Sequence, residues 1–106
     1  MKSKSSYEKR LSDLERKLGG KPHDEAKRNE LAERFGSDIV FANNFDFAII
    51  GVSLGFHSGR VVYDTNKMVE GLMEIDSIDY DDAFDYIEYN VLGAYVGDNT
   101  PIYVQI

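Results

Sequence analysis

Near the start of the chain, apolar positions recur as Tyr7, Leu11, Leu14 and Leu18, at spacings of four, three and four, the period of one helical face. Ser5 followed three residues on by Glu8 forms a capping-box pattern, and Gly19-Gly20 supplies the stop. The stripe is narrow and the other faces are charged, so this helix must lie on something to be stable. A second helix is predicted over "KPHDEAKRNELAERFG". Pro22 suits its first turn, Asp24 and Glu25 the positive end of its dipole, and Gly36 its exit. Its apolar set, Ala26, Leu31, Ala32 and Phe35, is again sparse. Two arrangements are open for residues 1–36. They form either an antiparallel hairpin packed on the rest of the chain, or an arm that docks on a partner or a second copy through Tyr7, Leu11, Leu14 and Leu18.

From Ser37 the pattern changes. "FDFAIIGVSLG" is β-rich and continuous enough for a buried strand, "GRVVYD" gives a second, and the glycine of "FHSG" between them suits a hairpin loop. Ser37 to Asn44 offers room for another short strand, with Asn43-Asn44 as a turn. Asp64 or Thr65 caps a helix running to about Ile75, with Met68, Val69, Leu72 and Ile75 at helical spacing. Gly71 weakens that helix by about 1 kcal/mol unless close packing requires it. Asp79 is the predicted N-cap of a further helix whose inward face is Ala83, Phe84, Ile87 and Val91. "TPIYVQI" forms a last strand, with Pro101 near its start, where a missing N–H is tolerated. Residues 37–106 thus read β-β-α-α-β, an α+β two-layer sandwich on a small, largely antiparallel sheet. The glycine-bearing loop from Gly93 to Asn99 is the expected place for a close approach of helix and sheet.

Charge sharpens the division. Residues 1–36 hold ten Lys/Arg against seven Asp/Glu, whereas residues 37–106 hold two, Arg60 and Lys67, against twelve. The expected domains are therefore a mildly basic helical arm or hairpin, 1–36, and a small acidic domain, 37–106. An acidic body repels nucleic-acid phosphates and suits a basic partner. The chain has no cysteine, which excludes disulfides and thiolate sites. No apolar run approaches the roughly 20 residues that cross a bilayer, and the polar N-terminus does not resemble a signal peptide, so a soluble, cytoplasmic protein is expected.

Candidate chemistry concentrates in "DYDDAFDYIEYN", Asp79 to Asn90, with four aspartates, one glutamate and three tyrosines. A calcium loop needs a turn glycine and ligands wrapped around the ion, and this stretch is glycine-free and helical. Helix-surface carboxylates facing water have no cause for the raised pKa that an acid catalyst needs. Ser53 in "GVSLG" matches G-x-S-x-G as text but precedes a hairpin, where a nucleophile elbow joins strand to helix. His23 and His57 lack patterned co-ligands. "LGFHSGR" has no Walker lysine and no helix beginning at the loop. Direct nucleic-acid binding is left only to residues 1–36, where mixed charge argues against it. No catalytic residue, metal ligand or cofactor is therefore assigned.

The body resembles a group of small uncharacterised proteins encoded by bacteriophages and other mobile elements. The residues carrying the resemblance are Gly59-Arg60-Val61-Val62-Tyr63-Asp64, Lys67-Met68 with Glu70 and Leu72-Met73-Glu74, Ile87-Glu88-Tyr89-Asn90, and Gly97 with Thr100-Pro101-Ile102. The resemblance spans roughly Val52 to Val104 and leaves residues 1–36 outside it. It implies a phage-type protein that acts in the host cytoplasm by binding and blocking host machinery, CRISPR nucleases included. With the charge pattern, this predicts a non-enzymatic inhibitor that meets a basic host protein through Asp81, Asp82, Asp85, Glu88 and Tyr89. The alternative is a structural or regulatory module that forms a homodimer through its N-terminal helices.

Overall fold

The structure, a computed structural model, describes residues 6–57 and 59–106. Helix α1, Ser6–Leu18, ends where Gly19 adopts φ +76° and donates its N–H to the Glu15 carbonyl at 2.9 Å, an exit glycine makes without strain. The Ser5 cap expected for this helix lies outside the described residues. Leu14 is fully buried in one core with Val61, Tyr63 and Met68, and Leu18 packs against that core. Leu11 is half-buried, and Tyr7 is 55% exposed. Burying Leu14 contributes about 1.5–3 kcal/mol toward holding α1 on the body.

Helix α2, Glu25–Phe35, starts at the N-cap Asp24, whose carboxylate accepts the Lys27 N–H at 3.1 Å. It ends at Gly36, which donates to the Ala32 carbonyl at 3.0 Å. Pro22 lies before the cap and outside the first helical turn, and its carbonyl accepts the Asp46 N–H at 3.0 Å. No α2 side chain is fully buried, so apolar packing alone does not fix this helix. Charge does. Asp46 is completely buried, and its Oδ2 accepts Arg28 Nε and the Asp24 N–H, each at 2.7 Å, while Oδ1 accepts Arg28 Nη2 at 3.0 Å. The Arg28 guanidinium also lies 4.9 Å from the centre of the Phe41 ring. Hydrogen bonding to Asp46 raises the Arg28 pKa, against the opposing effect of burial.

This ion pair explains why "FDFAIIGVSLG" is strand only at β1, Ile49–Val52. Asp46–Ala48 instead turns as a short 3-10 helix, with the Ala48 N–H on the Phe45 carbonyl at 2.9 Å, which aims the Asp46 carboxylate at Arg28. Residues 37–44 likewise form no strand, and Asn44 takes φ +75° in the Asn43-Asn44 turn. β1 pairs antiparallel with β2, Val61–Asp64, and Ile50 is the extra residue of a bulge between Ile49↔Tyr63 and Gly51↔Val62. The hairpin tip between them leaves Leu54 and Phe56 exposed.

The chain then forms α3, Thr65–Asp76, and α4, Tyr80–Ile87, and returns as β3, Ile102–Val104. The Asp64 carboxylate caps α3 by accepting the Asn66 and Lys67 N–H groups at 2.9 and 3.4 Å. β3 runs parallel to β2, so the order β1-β2-β3 makes a mixed sheet in an α+β fold. A parallel neighbour needs a crossover, which α3 and α4 supply. Tyr63 and Tyr103 stack in register with ring centres 5.6 Å apart. Burial raises the pKa of both phenols, and the Tyr63 hydroxyl accepts the Ala42 N–H at 2.8 Å.

The close approach expected at the Gly93–Asn99 loop occurs elsewhere. A Cβ on Gly97 would meet nothing, whereas one on Gly71 would fall inside the Phe47 ring. Gly20 lies against the same residue, where a Cβ would sit 3.0 Å from the Phe47 Cα. Phe47 is thus wedged between the α1–α2 connector and α3, and Gly71 accepts its helix-propensity cost to admit the ring.

Candidate functional site

"DYDDAFDYIEYN" becomes α4 followed without a break by one π-helical turn, Glu88–Leu92. Its start is fixed by Asp79, whose carboxylate accepts the Asp82 N–H at 2.9 Å. Asp81 and Asp82 add negative charge at the positive end of the helix dipole. Ala83, Ile87 and Val91 face the core. Phe84, expected with them, is 38% exposed and stacks on Tyr80 at 6.0 Å, because the inward sector is narrow and Phe84 stands at its rim. Asn90 donates from Nδ2 to the Tyr86 carbonyl at 3.0 Å, which ties the π turn back to the helix.

All five predicted partner-binding residues are displayed on this one element. Asp81, Asp82, Asp85, Glu88 and Tyr89 are exposed, Tyr89 at 85%. Spacings of four and three place Asp81, Asp85 and Glu88 along one stripe, with Asp82 toward the Tyr86 side. Among the described residues no cation forms a salt bridge with any of them. Arg60 is directed elsewhere, donating through Nε to the Thr100 carbonyl.

The other predicted face, Tyr7-Leu11-Leu14-Leu18, is divided. Leu14 and Leu18 meet the chain's own core, and Tyr7 stays at the surface. Ser53 lies at the base of the hairpin, its Oγ accepting the Arg60 N–H at 3.2 Å. His23 pairs locally with Glu25 at 2.6 Å on the surface. Among the described residues no three of His, Asp and Glu converge as a metal site would require, and no helix is long and apolar enough to cross a membrane.

Compared with known protein families, curated proteins and solved structures, the chain matches none. Four of the residues that carry the phage-type resemblance have structural work in this chain. Arg60 joins the hairpin to the Thr100 loop, Tyr63 fills the core, Asp64 caps α3 and Ile87 is buried. That part of the pattern describes packing, whereas Glu88 and Tyr89, which also carry it, are exposed at the surface.

The surroundings of Tyr86 leave no signal in the sequence pattern. A depression of about 430 Å³ lies between the Val40–Phe45 segment and Tyr86, Asn90 and Val91. Its walls come from segments some 40 residues apart, and no local spacing announces such a meeting.

Proposed function

We propose that this chain is a non-enzymatic, phage-type protein that binds and inhibits a host protein with a basic surface, such as a CRISPR effector or another nucleic-acid-handling complex. The supporting observation is the row of exposed carboxylates along α4 and its π turn, with which no cation among the described residues forms a salt bridge. From Asp81 to Glu88 the helix rises about 10 Å and carries four charges, one per roughly 3.5 Å of axis. One strand of duplex DNA carries a phosphate per about 3.4 Å. A rigid helix with that charge density fits a channel built for a phosphate backbone, and Tyr80, Tyr86 and Tyr89 add the amphipathic contact area favoured at interfaces.

Pull-down from a bacterial host lysate, with captured proteins identified by mass spectrometry, tests this. Capture of a basic nucleic-acid-handling protein is expected, weakening as salt rises and lost in a D82K/D85K/E88K variant. Capture that ignores the charge reversal, or that yields no basic protein, overturns the proposal.

A further inference from the structure

Three open depressions, of about 430, 190 and 360 Å³, adjoin one another around the Asn43-Asn44 turn. The first two share Asn43, Asn44, Phe45 and Tyr86, and the last two share Tyr7, Pro22 and Asn44. They therefore form one elongated trough, bounded by α4 on one side and reaching the first turn of α1. An open, elongated trough suits an extended chain better than a compact small molecule, which needs enclosure.

Four exposed polar side chains line it without a partner among the described residues. The side-chain amides of Asn43 and Asn44 and the hydroxyls of Tyr7 and Tyr86 make no hydrogen bond to any described residue. Asn44 presents its amide from a left-handed backbone, which asparagine tolerates better than most residues. Each amide offers a donor and an acceptor in one plane, the complement of a peptide unit, so two in succession suit an extended main chain.

Charge selects the occupant. Asp76 lines the middle of the trough, and Asp79 and Asp82 precede Tyr86 on the same side of α4 at spacings of three and four. All three are exposed and none forms a salt bridge among the described residues. Lys21 and Glu15 at the far end offset one another. Such a surface repels nucleic acid. We infer that the trough binds an extended polypeptide segment bearing lysine or arginine. This rests on the proposed function in that the partner is a basic protein, and it adds that recognition runs through main-chain contacts at Asn43 and Asn44.

Amide-resolved NMR of the full chain, titrated with three probes, tests the inference. The probes are a pool of random decapeptides with fixed lysines and arginines, the same pool without them, and a thymidine oligonucleotide. The basic pool is expected to shift the Asn43 and Asn44 side-chain amides and the Tyr86 backbone. An N43A/N44G variant, in which glycine keeps the left-handed turn, is expected to weaken binding at least tenfold, and a Y86A variant to weaken it as well. A D81K/D85K/E88K variant, altered on the opposite flank of α4, is expected to weaken it only a few-fold. Shifts confined to that opposite flank, or undiminished binding by N43A/N44G, overturn the trough and leave the acidic-surface proposal to its own pull-down. An equal response to the neutral pool or to the oligonucleotide also overturns the inference, as does no response to any probe.

Discussion

The cations of the first 36 residues and the carboxylates of α4 are used in opposite ways. Arg28 grips a buried aspartate, Arg10 donates to the Ile75 carbonyl at 2.8 Å, and Lys17 meets Glu74 at 2.9 Å. Three cations of the basic front are thus engaged with the body, at Asp46 and at the adjacent Glu74 and Ile75 of α3. Along α4 and its π turn, Asp81, Asp82, Asp85 and Glu88 are exposed and form no salt bridge among the described residues. An excess of charge in a sequence therefore points to a partner only after the charges engaged within the fold have been set aside. Here the acidic excess survives that subtraction on one helix, whereas Arg10, Lys17 and Arg28 of the basic front are engaged in architecture.

The comparison breaks most severely at Asp46. D46A strands the Arg28 guanidinium and the Asp24 N–H, and is expected to lower stability by about 3–5 kcal/mol in urea unfolding. A D46A/R28M double variant, which removes the uncompensated charge, is expected to recover part of that loss. G71A comes next. Its methyl group collides with Phe47, whose backbone is held against Gly20, so a loss of about 1–3 kcal/mol is expected although alanine favours helix. F47L in the same background should return much of it.

Alkaline pH probes the shared core. Burial raises the Tyr63 and Tyr103 pKa above the ordinary phenol value near 10. Above pH 10 the unfolded chain loses these protons while the folded chain keeps them, so stability is present below that pH and falls as pH rises toward the folded values. For fully buried Tyr63 the slope is at most about 1.4 kcal/mol per pH unit, and ionisation of Tyr63, followed through its ring NMR signals, is expected to appear together with unfolding. The smallest effect belongs to α4. D85N/E88Q is expected to leave the urea midpoint unchanged, because neither carboxylate has a partner among the described residues, while weakening capture of a basic protein. A clear drop in the midpoint would assign those acids to architecture as well.

Much of the fold was legible because its signals are local. Asp64 and Asp79 announce the starts of α3 and α4, Gly19 and Gly36 the ends of α1 and α2, and the "GRVVYD" run the central strand. What was not legible depends on partners far along the chain. Asp46 sits in an alternating apolar run that imitates a strand, and only Arg28, 18 residues earlier, reveals that its carboxylate turns inward. Phe84 has the spacing of a core residue, yet the sector α4 buries is too narrow to include it. At the candidate site, the exposure of the acidic row followed from helical period alone. The trough did not, because Tyr7, Asn44 and Tyr86 meet only in three dimensions.

The hairpin tip gives the acidity of this chain a second consequence, in colloidal behaviour. Leu54 and Phe56 project from a segment with no ionisable carboxylate or ammonium between Ala48 and Phe56, beside the bulged edge of the sheet. Such a tip invites self-association, and at neutral pH the net charge of −7 keeps molecules apart. That repulsion fades at a pH near the pI of about 4.7, and it shortens to about 3 Å in molar salt. Under either condition the apolar tip remains while its electrostatic protection is withdrawn.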